Sequence, residues 1–242
     1  MDILLQAVQA VQKNVSALGL YLLCTVPASA LVLAGNVWMG MEGDSGAAVS
    51  GTLVAYQAGS DAFLIAAYAL AQSLAFSRMG RQIDRPIWKC PGDREAIRRY
   101  FPLWIILNIV AVGSQRLVVW LPALMDDESA AMPVFWLMAI VMAVYLPVGA
   151  AVMFAGKPDW RQLGEALAPL GRQWTKTLSI CFFSGVIYFL LVILILQNQS
   201  QNWIHPVIDV ISGYFDCVIF CATWLLCMLD RQMPQEDDLD YF

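Results

Sequence analysis

Charge is scarce in this chain: of its 242 residues only 14% are Asp, Glu, Lys or Arg, where a soluble globular protein carries about 25%. Hydrophobic residues make up 60%. A body of this size cannot hide that much apolar surface in one core, so much of its outside must face an oily medium, and a lipid bilayer is the simplest one. Histidine is nearly absent. His205 stands alone and cannot complete a zinc set with the cysteines. Those cysteines number six and show no C-x-x-C pair. Five of them (Cys24, Cys181, Cys217, Cys221 and Cys227) lie in apolar runs and read as small buried hydrophobes, whereas Cys90 lies in a basic loop. Also missing are H-E-x-x-H, G-x-S-x-G and any glycine loop able to cradle phosphate. Hence no enzyme activity, no metal and no cofactor is expected. Nucleic acid is not an expected partner either, since no recognition fold accompanies the basic residues.

Long apolar runs are abundant. A membrane-crossing helix needs ~20 mostly apolar residues. Such runs cover about 15–41, 50–76, 100–125, 131–155, 174–197 and 203–229. They are too long for strands and lack period-2 alternation. In lipid the backbone groups must be satisfied internally, so a helix is the remaining option. The reading is an all-α polytopic membrane helix bundle of about six spans, forming one membrane domain over residues 1–242. Ala28-Ser29-Ala30 resembles a signal-peptide cleavage site. The apolar run continues past it to Met41, with only Lys13 against Asp2 ahead of it, so the first span reads as retained.

Basic residues are missing from three of the five connections. They concentrate in the other two. Between the second and third spans lie Arg78, Arg81, Arg85, Lys89, Arg94, Arg98 and Arg99. Around the connection between the fourth and fifth lie Lys157, Arg161, Arg172 and Lys176. By the positive-inside rule these loops, Lys13 and Arg231 are cytoplasmic, which puts both termini inside and requires an even number of spans. The nine tryptophans fall near the span ends and read as aromatic belts at the two interfaces.

Residues 2–14 space apolar Ile3, Leu4, Ala7, Val8 and Val11 against Gln6, Gln9, Gln12 and Lys13, which predicts a short helix on the cytoplasmic interface. Asp93 ahead of Arg94 to Arg99 reads as a helix start, after the breakers Pro86, Pro91 and Gly92. Asp159 reads as the cap of an amphipathic helix through Leu163, Ala166, Leu167 and Leu170. The basic loops set topology and offer sites for anionic lipid head groups. The tail 230–242 is acidic beyond Arg231, a composition that favours disorder unless it docks on a basic face or a partner. Pro27, Pro122, Pro133, Pro147 and Pro206 are expected to break or kink the spans.

The charges inside the runs are few and therefore informative: Asp61, Arg116, Asp209 and Asp216. Each costs about 2.5–3.5 kcal/mol at bilayer depth, so such groups face the bundle interior and pair. At ~1.5 Å per helical residue, Asp61 lies about 3 Å to the outer side of the midplane, Arg116 about 6 Å, Asp209 about 10 Å, and Asp216 near the centre. Asp61 and Arg116 sit on consecutive antiparallel spans at similar depth and are expected to pair. Asp209 and Asp216, seven residues apart, share a helix face. Gln57, Asp61, Tyr68 and Gln72 form one polar stripe, and Asn108 with Gln115 another. Together these predict one polar seam, serving either as interhelical bonding or as a proton or cation path. Gly213-Tyr214-Phe215-Asp216 holds the Tyr and Asp of a membrane aspartyl protease motif, but with Phe between them and no Gly-Leu-Gly-Asp elsewhere.

The layout resembles bacterial six-span proteins of the YciC-like and glycerophosphodiester-phosphodiesterase membrane-domain-like families. The likeness rests on the run Ala10-Val11-Gln12-Lys13-Asn14 ahead of the first span and on the amphipathic stretch Leu163 to Trp174 ahead of the fifth. A Leu-Pro-Gly hairpin of those families is here Leu121-Pro122-Ala123. The resemblance implies a bacterial cytoplasmic (inner) membrane and supplies no site residues. Two roles are expected: first an accessory or scaffold subunit that packs against membrane lipids and other membrane-protein subunits, and second a small proton- or cation-coupled transporter or channel. They differ in one respect. A transporter needs a cavity reaching the acids, whereas a scaffold buries them against Arg116 or a neighbour.

Overall fold

The computed structural model describes residues 2–38, 51–84, 92–125, 131–156, 160–197 and 204–232. Eight α-helices make up these residues: α1 (Asp2–Lys13), α2 (Val15–Trp38), α3 (Gly51–Ile83), α4 (Asp93–Met125), α5 (Ala131–Ala155), α6 (Leu163–Arg172), α7 (Trp174–Gln197) and α8 (Ile204–Gln232). A single 3-10 turn, Trp160–Gln162, leads into α6. Six helices, all but α1 and α6, are long and apolar enough to cross a membrane. The protein is an all-α, multi-pass membrane bundle. Exposed Leu23, Leu31, Ile140, Leu178, Phe182 and Leu190 on its flanks are the lipid-facing side chains such a bundle requires.

The spans run alternately up and down, which gathers Arg78, Arg81, Arg94, Arg98, Arg99, Arg172, Lys176 and Arg231 at one end of the bundle. Helix α8 is the hub: α1, α2, α3, α5, α6 and α7 all pack on it. In its most apolar stretch 61% of residues are buried, against 11% for α7 on the rim. The core fills the basic half. Phe76 stacks on Phe220 with ring centroids 4.3 Å apart and on Tyr21 at 5.5 Å, and Trp104 and Trp224 close around them. Gly80 makes room for Trp224; a Cβ there would meet three indole carbons at 2.8, 2.9 and 3.1 Å. Gly149 does the same for Trp104. These two tryptophans are therefore fully buried rather than part of a head-group belt, which corrects the interfacial reading for them. Trp38, Trp136 and Trp174 are exposed near span ends, as a belt requires.

Several sequence expectations change in detail. Helix α3 continues to Ile83 and α4 starts at Asp93, so Arg78, Arg81, Arg94, Arg98 and Arg99 sit on helical extensions of the spans and not in a loop. Asp93 in the first turn favours that start, where a carboxylate complements the helix dipole. Arg85, Lys89, Lys157, Cys90, Asp159 and the tail beyond residue 232 lie outside the described residues. The N-cap of α6 is Gln162, with no side-chain cap bond. Among the described residues no helix is broken at a proline. Pro27 and Pro147 sit inside continuous helices, and Pro133 and Pro206 fall in first turns, where the missing N–H is not needed. Helix α1 packs its apolar face on the protein, with Ala7 and Val11 fully buried in the core it shares with α8. The cysteines Cys217, Cys221 and Cys227 are buried, Cys24 and Cys181 half-buried, and all five are free.

Candidate functional site

The charges inside the spans divide into two groups. Asp61 of α3 and Arg116 of α4 form a two-pronged ion pair, Nε to Oδ2 at 2.9 Å and Nη2 to Oδ1 at 2.6 Å. Antiparallel neighbours of matched depth bring them together, as the sequence implies. The pair is not sealed: the side chains remain 39% (Arg116) and 21% (Asp61) exposed, on the flank of the bundle. Gln57, one turn before Asp61, is half-buried.

Asp209 and Asp216 lie elsewhere. They line a cavity of about 300 Å³ within the bundle, in the half away from the basic end. Its polar lining includes Ser29, Tyr68, Asn108, Gln115, Tyr145 and Tyr188. Its aliphatic wall is drawn from Leu64 and Ile65 of α3 and Leu191, Val192 and Ile195 of α7. Among the described residues no Lys, Arg or His takes part in the lining. The expected single seam is thus two separate features, because Asp61 and Arg116 are not part of this cavity's wall.

Several polar groups of the cavity are anchored by hydrogen bonds. The Tyr21 hydroxyl donates to Asp216 at 2.8 Å. Ser29 hydrogen-bonds Asp209 and stands 3.4 Å from the Tyr68 hydroxyl. The Asn108 amide donates to the Gln72 carbonyl oxygen at 2.7 Å. Gln115 donates to the Tyr188 hydroxyl at 2.9 Å. Tyr21 stacks on Phe76, so its bond ties Asp216 to the aromatic core. Ser29, Ser212, Tyr21, Tyr145 and Tyr188 were not among the sequence candidates. Ser212 was readable, since it shares a helix face with Asp209 and Asp216. The tyrosines were not, because in an apolar run a Tyr counts as hydrophobic until its hydroxyl has a partner.

The basic residues at the other end bond mainly to protein. Arg78 and Arg81 both reach Asp93, Arg81 at 2.6 Å. Arg99 reaches Glu95 and the carbonyl of Gly156, each at 3.0 Å. That glycine ends α5 with φ 76°, the left-handed region. Arg172 meets Asp230 at 3.1 Å. Arg231 lies 3.7 Å from Asp84 and 4.4 Å above the Phe154 ring. Burial pushes the Asp84 carboxyl above the usual range, and Arg231 opposes that rise. These residues therefore clamp helix ends together. Arg94, Arg98 and Arg161 remain exposed, where a lipid head group can reach them.

Fold and site together define a multi-pass membrane bundle with an acidic, tyrosine-lined cavity in one half and an aromatic core in the other. Comparison with known protein families, curated proteins and solved structures returned no match. Among the described residues no group of three or more His, Cys, Asp or Glu is placed to hold a metal ion.

Proposed function

We propose that this chain is a non-enzymatic protein of the bacterial inner membrane, with both termini cytoplasmic, that carries a small cation across the bilayer through the cavity of Asp209 and Asp216. One observation carries the reading. Two carboxylates open into an interior cavity whose lining holds no basic side chain. A carboxylate at membrane depth is expensive unless a cation or a proton accompanies it. The only intramembrane arginine, Arg116, is committed to Asp61. The counter-charge for Asp209 and Asp216 therefore comes from what enters the cavity.

The alternative, an accessory or scaffold subunit, draws support from Asp61 and Arg116. A partly exposed ion pair on the bundle flank suits burial under a neighbouring membrane protein. The likeness to six-span families is one of layout and adds no residue to either reading.

Reconstitution into sealed vesicles decides between them. Cation-driven proton flux, followed with an internal pH dye, is expected for the wild-type chain and absent for Asp209→Asn and Asp216→Asn proteins that elute as folded species. Equal flux in all three, or none in any, would remove the transport reading.

A further inference from the structure

The chemistry of the cavity narrows the cation, on the footing of the transport reading above. Asp209 and Asp216 stand two turns apart on one face of α8, a rise of about 10 Å. A single metal ion holds its oxygen ligands at about 2.0–2.6 Å, so it cannot touch both. Nor does a bare ion have any use for the long aliphatic wall of α3 and α7. Each carboxylate already takes one hydroxyl, from Tyr21 and from Ser29, and keeps further acceptor sites free. Tyr68, Tyr145 and Tyr188 line the same cavity as the two carboxylates. Tyrosine rings attract ammonium groups through their faces. His205, one turn before Asp209 on α8, is outside the lining. A ligand matched to all of this has two positive ends separated by a flexible apolar middle.

We propose that the cavity binds a linear α,ω-diaminoalkane, one terminal ammonium on Asp209, the other on Asp216, and the methylene chain against Leu191, Val192 and Ile195. Two charges on the ligand neutralise two on the protein, so the occupied bundle carries no net charge at this depth. A ligand of this kind is well within the cavity of about 300 Å³, which lies at the small end of the roughly 300–1,000 Å³ usual for ligand pockets.

Calorimetric titration of the detergent-purified full chain with diaminoethane, diaminobutane, diaminohexane and diaminooctane tests this, with hexylamine as the singly charged control. Affinity is expected to pass through a maximum at intermediate length. Hexylamine is expected to bind at least about tenfold more weakly than the best diamine. Asp209→Asn and Asp216→Asn should each reduce the best diamine to the hexylamine level. Val192→Phe, which leaves both carboxylates in place, should weaken the longer diamines most and keeps the test open if an Asn variant does not fold. Equal binding of hexylamine and diaminohexane, no dependence on length, or no binding of any diamine overturns the proposal. The vesicle assay separates this failure from that of the transport reading. Flux of another cation without diamine binding leaves transport standing, whereas diamine binding without flux leaves the site and removes transport.

Discussion

At the scale of single residues, the decisive contrast is between an acid with a base and acids without one. Asp61 has Arg116 at 2.6 Å; Asp209 and Asp216 have hydroxyls. The first pair was legible because depth and helix adjacency follow from counting residues along two antiparallel spans. Its energetic weight is testable. Asp61→Asn leaves a lone guanidinium at a depth where insertion scales charge about 2.5–3.5 kcal/mol. The variant is expected to melt well below wild type in detergent. Adding Arg116→Gln should recover part of the loss, with a coupling energy within roughly 0.5–3 kcal/mol. Additive losses would mean the two side chains do not interact. The tyrosines around the acids were opaque for the opposite reason: hydropathy records a ring and cannot record where its hydroxyl points.

At the scale of the helix, hydropathy located each span but stopped short of the charged ends of two of them, of which only the Asp93 start of α4 was signalled by its residues. Helix α3 runs on past Phe76 to Ile83 and α4 begins before Tyr100 at Asp93. Both extensions are charged, so an apolar window stops short of them. Tertiary contacts keep them helical, with Arg78 and Arg81 clasping Asp93 across the junction. Helix packing also explains the buried tryptophans. Gly80 removes a side chain where the Trp224 ring lies, so α3 and α8 approach closely. Gly80→Val is expected to force the ring out of place and to cost on the order of 1–3 kcal/mol by overpacking. Gly113→Val, at a glycine with nothing within 4 Å of an added Cβ, should melt near wild type. Equal melting of the two variants would show that close approach at Gly80 carries no weight.

For the whole molecule, orientation follows from charge. The basic ends of α3, α4, α6 and α8 and the start of α7 gather at one face, together with the end of α1. Positive residues are retained on the cytoplasmic side during insertion. Green fluorescent protein fused at either terminus is therefore expected to fluoresce, and alkaline phosphatase fused there to stay inactive. Phosphatase activity at both ends would invert the bundle.

The sequence by itself determined the class of this protein: the number of spans, their alternation and the placing of the basic residues. Those properties depend on composition along the chain and on the cost of moving backbone and charge into lipid, and neither needs a partner helix to be known. It also determined that Asp209 and Asp216 share a face, because the helical period alone sets that. Only the tertiary structure decided what that face meets. The packing of α2, α3, α5 and α7 around α8, with α4 against α3 and α5, fills one half with aromatic rings and leaves a cavity in the other. Whether a buried acid meets arginine, hydroxyl or open space depends on which helices lie side by side and how closely, and helix periodicity carries no record of that.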